Sequence, residues 1–414
     1  ILLEKNKYFN SFKFTLFDKL SINLIIFINI LFFISILNIN IYIVLFIFYF
    51  ISILFFTLKS KYFNLNKIQI NYFLIILFVF IFLISVDVAD ELFFSWDTKR
   101  NWFFKTLNFF QNQNIENLKQ FNNFDYPHLG PFIWSFFWKF PFGNYEYLGR
   151  IFYVFLYVLS IFLISICLNL EIYKKIIFSI LFISLTYNYN LFSGLQDVLI
   201  FSIILLFTRF SFLIFHKSSK VNNDLIILII LGIFNLLCWT KNEGVFYGIF
   251  LLISLIFAYS FSKKDKILIL LGSTIILGLR FFLFNYYNTE LNPEYFEMSK
   301  TFNLDLMLIL YKLKTITFYL FVYSLQNPIY VLAIPLLIFI ILKYPNKDIT
   351  KFVLYFLFLN LIFIYATYAL KMTDVELLSK ASMIRLLFQT SGVYFLIIVI
   401  YINNYAKLLY LNKK

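Results

Sequence analysis

From residue 20 to residue 58 the chain carries no charged side chain, and from 151 to 170 it again carries none. Runs that long have few places to go. About 20 apolar residues are enough to cross the ~30 Å hydrocarbon core as a helix, and inside that core every backbone N–H and C=O needs a partner within the protein. Only helices and closed barrels meet that demand, and barrel strands would show an apolar/polar alternation that is absent here. The sequence therefore predicts an all-α fold, a polytopic transmembrane helical bundle of about 12 spans, as one integral membrane domain over 1–414. Composition agrees, since 62% of the 414 residues are hydrophobic and 23% aromatic, against roughly 45–50% apolar in a soluble domain.

The spans are expected at about 21–37, 40–58, 69–86, 149–168, 174–190, 197–214, 225–240, 245–261, 267–286, 327–342, 352–370 and 386–405. The first apolar run passes straight into the second with no small-residue cleavage site, so a cleaved secretory signal is not expected. With the amino terminus inside, the 35 Lys/Arg and 21 Asp/Glu divide as 21 and 6 on the inner side and 12 and 14 on the outer side, leaving Asp305, Lys312 and Lys314 unassigned. That asymmetry follows the positive-inside rule. It turns the net charge of +14 into a signal of topology and anionic lipid, and no nucleic-acid partner is expected. Cys167 and Cys238 lack the spacing of a metal or redox pair and read as buried small hydrophobes.

Two outer segments break the pattern of short connectors. Residues 87–147 form an extracytoplasmic loop holding Asp87, Asp90, Glu91, Asp97, Lys99, Arg100, Lys105, Asp125 and His128. Its apolar residues recur at helical spacing through Trp102, Phe103, Leu107 and Phe110, and again through Phe132, Phe136 and Phe140, which predicts two amphipathic helices on the membrane surface. Residues 288–325 form a second outer loop. Its stretch 303–325 is apolar enough to span but carries Lys312 and Lys314 near its middle, and a span here would push Lys343, Lys347 and Lys351 outside, so an interfacial or re-entrant helix is expected. Trp96, Trp102, Trp134, Trp138 and Trp239 all fall on the outer side, where indole rings favour the headgroup level.

Further charges gather on that face: Asp197 after Ser-Gly-Leu-Gln, Lys241 and Glu243 in Trp-Thr-Lys-Asn-Glu-Gly, Arg280 near the end of a span, and Arg385 at the start of the last one. Ionisable groups at a membrane boundary are costly unless they pair or bind something. Each alone could be a snorkelling cation or a loop-to-loop ion pair. His216, beside Lys217 at an inner end, reads as solvated. Glu290, Glu294 and Glu297 could contact an acceptor or hold Lys300.

The ordered set Trp96-Asp97, Trp102, Lys105, Tyr126-Pro127-x-Leu129-x-Pro131, Gly194-x-x-Asp197, Thr240-Lys241-Asn242-Glu243-Gly244 and Arg385-Leu386-Leu387 resembles bacterial polytopic glycosyltransferases of the GT-C type over about residues 80–400. Asp90-Glu91 resembles the acidic pair many of those enzymes carry in the first large outer loop. The sequence departs from the family at Thr390-Ser391-Gly392, where a proline is usual after the arginine.

The resemblance implies an enzyme of the bacterial inner membrane, its site facing the periplasm or exterior, that moves a sugar with inversion from a polyprenyl-phosphate donor to an acceptor hydroxyl. The acceptor could be a glycan, a lipid or a protein. It implies a carboxylate general base, Asp97 or else Asp90 or Glu91, with Lys105, Lys241 and Arg385, and more weakly Arg280, as cations for the lipid phosphate. Glu243 would orient Lys241, Asp197 would hold a sugar hydroxyl or a cation, and Tyr126 and His128 would line the substrate site. One histidine among scattered carboxylates does not define a metal site, so no cofactor is expected, although a divalent ion stays open. A transporter or flippase, or a polymerase or ligase of lipid-linked glycans, would share the membrane. Transporters show deep charges and repeated halves, and this chain has few of the first and no evident repeat. Ligases usually carry their large outer loop later in the chain.

Overall fold

The computed structural model describes residues 14–59, 72–90, 94–121, 123–140, 143–216, 223–287, 306–343, 347–370 and 374–411. Among them there is no strand. The helices are α1 (Leu16–Ile36), α2 (Ile41–Lys59), α3 (Tyr72–Asp90), α4 (Phe104–Phe110, preceded by a π-helical turn Thr98–Phe103), α5 (Leu129–Lys139), α6 (Tyr147–Ile166), α7 (Ile172–Thr186), α8 (Asp197–Phe215), α9 (Asp224–Thr240), α10 (Asn242–Ala258), α11 (Lys263–Tyr286), α12 (Leu306–Gln326), α13 (Pro328–Lys343), α14 (Lys347–Ala369), α15 (Val375–Ser391) and α16 (Phe395–Leu411). Eight helical stretches are long and apolar enough to cross a membrane, which marks an integral membrane protein. Helical residues fall within each of the twelve expected spans, the last of them crossing from α15 into α16, and α2, α7, α9, α10 and α13 are not among the eight.

Where the helices sit follows from what surrounds them. α6 and α8 are almost wholly buried at the centre, whereas α3 and α11 turn most of their surface outward. Phe46, Phe82 and Phe281 are about two-thirds or more exposed (71%, 67% and 71%), a surface suited to lipid rather than water. Polar clamps join the helices inside. Arg209 on α8 grips both carboxylate oxygens of Asp18 on α1 at 2.9 Å and donates to the Cys167 sulfur at 3.3 Å. Asp18 also closes a capping box with Thr15 that starts α1. Both cysteines are free and buried, as expected.

Paired contacts set the helix directions. Tyr157 meets Phe201 and Cys167 meets Arg209, so α6 and α8 run parallel. α12 and α13 show the same relation to α15 and α16: Tyr319 donates to Glu376, Tyr330 meets Thr390, and the Phe339 ring meets Tyr401 edge-on, both series ascending together. The chain therefore does not reverse at Asn327. α12 and α13 form one bent rod beside the α15–α16 rod, with α14 antiparallel between them, since Tyr368 meets Ser382 and Phe356 meets Tyr394. At 1.5 Å per residue each rod exceeds 50 Å, well over one membrane thickness. Composition alone would let Met307–Gln326 span by itself, but the unbroken direction makes α12 the extension of α13. Lys312 donates to the Ala369 carbonyl at the end of α14. Residues 288–305, expected in a second outer loop and holding Glu290, Glu294, Glu297 and Lys300, lie outside the described residues.

Two expectations are corrected. α5 does not lie on the surface. Its residues Leu129 to Phe136 are all buried, His128 meets Ser35 at the end of α1, and Phe136 meets Phe27 two turns further in. Its sequence LGPFIWSFFWK is apolar round the whole helix, so it wedges into the bundle instead of floating on lipid. The tryptophans, too, are mostly internal: Trp102, Trp134, Trp138 and Trp239 are buried and only Trp96 is exposed, at 68%. They pack the joint between the 87–147 loop and the helix ends, as in the Phe103–Trp134 and Trp239–Phe284 ring contacts.

Candidate functional site

The end of the bundle that carries residues 94–140 also carries the starts of α8 and α10 and the middle of α15, and three short motifs fix how these meet. Gly194 adopts φ +93°, and a Cβ there would lie 2.3 Å from Thr98 and 2.5 Å from Trp134. Glycine is thus required where the π-helical turn presses on the start of α8. Gly130 leaves room for the Gln196 side chain, which a Cβ would strike at 1.8 Å. In Thr-Lys-Asn-Glu-Gly, extended Lys241 alone separates α9 from α10, and Gly244 lets α10 close onto the Leu237 carbonyl. Arg280 locks that turn by donating to the Cys238 carbonyl and, at 2.7 Å, to Asn242 Oδ1, with its guanidinium 4.4 Å from the Phe284 ring.

These joints bring five charged residues from four parts of the chain into one cluster. Asp97, at the head of the π-helical turn, accepts from Asn101 at 3.0 Å and pairs with Arg385 of α15. The Arg385 Nε lies 3.9 Å from Asp197 Oδ2. Asp197, the first residue of α8, accepts from Lys241 at 3.1 Å and from Gln389; the helix N-terminus favours an anion there. Lys241 also pairs with Glu243 at 3.3 Å. Burial grades across the cluster: Asp197 and Lys241 have side chains only 5% and 7% exposed, while Asp97, Arg385 and Glu243 are 28%, 29% and 24% exposed. The cluster therefore has a closed core and an open rim. Three carboxylates face two cations, for a net charge of −1.

The remaining expected site residues lie elsewhere. Lys105 is buried away from the cluster and donates to the carbonyls of Asn123 and Tyr126 at 2.7 and 2.8 Å. Burial pulls its amine down to about 7 against the opposing pull of Asp125. Its ammonium braces a turn in which Asn123 takes a left-handed φ, so it is not placed for a phosphate. A bonded path does link it to the cluster, because Asn123 donates to Asn101, which donates to Asp97. The Tyr126 ring packs edge-on against Trp102. His128 is buried among Phe32, Phe109 and Trp239. Burial, then the charges of Lys105 and Arg280, depress it to about 3, so it is a neutral ring. Its Nε2 sits 2.8 Å from Ser35 Oγ, whose hydroxyl donates to the Phe32 carbonyl, so the imidazole N–H donates to the serine. Asp90 is exposed at the end of α3 and shares no bond with the cluster; Glu91 lies outside the described residues. Arg280 touches the cluster only through Asn242.

Sequence reasoning missed Asn101 and Gln389, although both sit four residues after a chosen residue, Asp97 and Arg385, one helical turn on and hence on the same face. Two small clefts open at this end, one lined by Ser35, Asn38, Asn40, Asn112 and Asn114 and the other by Tyr126, His128, Trp239 and Phe284; neither includes a cluster residue. Among the described residues no three His, Cys, Asp or Glu side chains are grouped to hold a metal ion. No family model matches the chain, and no curated protein or solved structure matches it either.

Proposed function

We propose that the chain is a membrane glycosyltransferase of the GT-C type, crossing a bacterial inner membrane twelve times with the Asp97–Asp197 end facing the periplasm or exterior. It takes a sugar from a polyprenyl phosphate and passes it to an acceptor hydroxyl of a glycan, lipid or protein. The observation that carries this reading is the meeting of Asp97, Arg385, Asp197, Lys241 and Glu243, spread over 289 positions of the chain, at the end where the lipid-facing helices stop. A donor whose tail lies in the bilayer holds its sugar phosphate at that level.

The geometry divides the roles. Lys241 is saturated by two carboxylates and positions Asp197 and Glu243; it does not grip phosphate. Arg385 is the cation at the open rim. A phosphate arriving there takes over its guanidinium bidentately, which releases the Asp97 carboxylate. The acceptor oxygen then attacks the anomeric carbon as the bond from that carbon to the phosphate oxygen breaks. The hydroxyl proton passes to Asp97, and the departing phosphate keeps the bonding pair beside Arg385. Asp97 and Glu243 offset the positive charge that grows on the sugar, as carboxylates do in glycoside hydrolysis. Base help of this kind is worth about 10²–10⁴ in rate. Asp97 is preferred to Asp90 because only Asp97 adjoins a cation that a phosphate can claim.

Purified chain supplied with labelled polyprenyl-phosphate sugars tests this. Asp97→Asn should cut transfer by about 10²–10⁴, while Asp90→Asn keeps the parental rate. Parental transfer by Asp97→Asn would remove the base assignment, and a parent that transfers none of the sugars would remove the function.

A further inference from the structure

Around Asp197 several buried polar atoms have no hydrogen-bond partner among the described residues: Glu243 Oε2, Gln389 Oε1, Arg385 Nε and the Tyr247 hydroxyl. The Arg385 Nε lies 3.9 Å from Asp197, beyond hydrogen-bond length. Nineteen buried side-chain polar atoms lack a partner among the described residues, and these four belong to residues of the charged cluster or to residues one helical turn from it. They come from two helices in the same manner. Glu243 and Tyr247 are four residues apart on α10, and Arg385 and Gln389 are four apart on α15, so each helix turns one face to the cluster. Gln389 and Tyr247 are wholly buried. Gln389 touches Asp197 through its amide nitrogen, Glu243 holds Lys241 through its other oxygen, and Tyr247 stands one helical turn beyond Glu243 on α10.

We propose that Glu243, Tyr247, Gln389 and Arg385 form a subsite for two neighbouring hydroxyls of a sugar ring. The donor and acceptor count selects the ligand. The Arg385 Nε only donates, the Glu243 and Gln389 oxygens only accept, and the Tyr247 hydroxyl completes the set as a donor. A pair of hydroxyls gives two hydrogen bonds and receives two, which matches all four atoms. A phosphate only receives, and it would face the Glu243 carboxylate and the Gln389 oxygen. The subsite rests on the glycosyltransferase reading and places the ring on the Asp197 side of Arg385, with the phosphate on the Asp97 side.

The test reads binding without transfer. Full-length chain in detergent is titrated with methyl hexopyranosides and methyl pentofuranosides, followed by saturation-transfer NMR, with inorganic phosphate as a competitor. At least one glycoside should bind the parent. Tyr247→Phe should weaken it by roughly three- to tenfold, the worth of one hydrogen bond, and Gln389→Leu should do the same. The melting temperature of Tyr247→Phe should hold or rise, because a hydroxyl with no protein partner has been removed from the interior. Unchanged glycoside binding in both variants would overturn the subsite, as would a parent that binds no glycoside, displacement of the glycoside by phosphate, or a lowered melting temperature with binding intact. Glycoside binding in a chain that transfers no sugar would support the subsite while the transferase reading fails, and transfer without this binding pattern would do the reverse.

Discussion

Asp197→Asn is the sharpest perturbation of the cluster, because the change is isosteric and removes only charge. Asp197 accepts from Lys241 at 3.1 Å and from Gln389, and lies 3.9 Å from Arg385, all with its side chain 5% exposed. Removing one partner of a buried pair costs about 3–5 kcal/mol, because the other charge stays buried and uncompensated. Here Lys241 keeps Glu243, and Arg385 keeps Asp97 and some water, which holds the cost near the lower limit, about 3 kcal/mol. Loss of the anion at the α8 N-terminus adds about 0.3–1 kcal/mol. Glu243→Gln, at a partly open position, should cost about 1 kcal/mol or less. Adding Lys241→Met to Asp197→Asn should restore part of the loss, since no buried cation is then stranded. Reversible unfolding in mixed micelles, followed by circular dichroism as dodecyl sulfate is added, measures these three variants against the parent. If Asp197→Asn unfolds like the parent, or Glu243→Gln costs more than it does, Asp197 is not the centre of the cluster.

Two further outcomes are expected. Arg209→Met should destabilise by about 3–5 kcal/mol by stranding Asp18 in the interior, and Asp18→Asn added to it should recover most of that; the same unfolding assay reads both. Neutral His128, held at about 3 against an ordinary value near 6.5, binds no proton in the fold where the unfolded chain binds one. Stability should therefore fall as pH drops from about 6.5 towards 3, and His128→Gln should flatten that slope in unfolding measured against pH.

Apolar runs and charge asymmetry made the helices legible, because crossing hydrocarbon leaves a chain few choices. The site residues at the ends of apolar runs were legible for a related reason: Asp197, Lys241 and Arg385 are charges that sit where apolar runs of sequence begin or end, and they do meet. Depth was not legible. The Phe132-Phe136-Phe140 spacing reads as one face of a surface helix, yet the faces between are also apolar, and α5 is buried on all sides. Lys105 and His128 looked like ligands because titratable groups in an outer loop usually face water; only packing shows that one braces two carbonyls and the other sits among aromatic rings. The direction of α12 was hidden for the same cause, since composition records how apolar a helix is and not which neighbour it runs beside.

The whole account requires the Asp97 end to face outward. Trp96 is 68% exposed next to Asp97, and both native cysteines are buried, so Trp96→Cys offers a membrane-impermeant maleimide one accessible thiol. Labelling in intact cells is the predicted result; labelling only after the membrane is permeabilised would place the cluster on the cytoplasmic side and contradict the account.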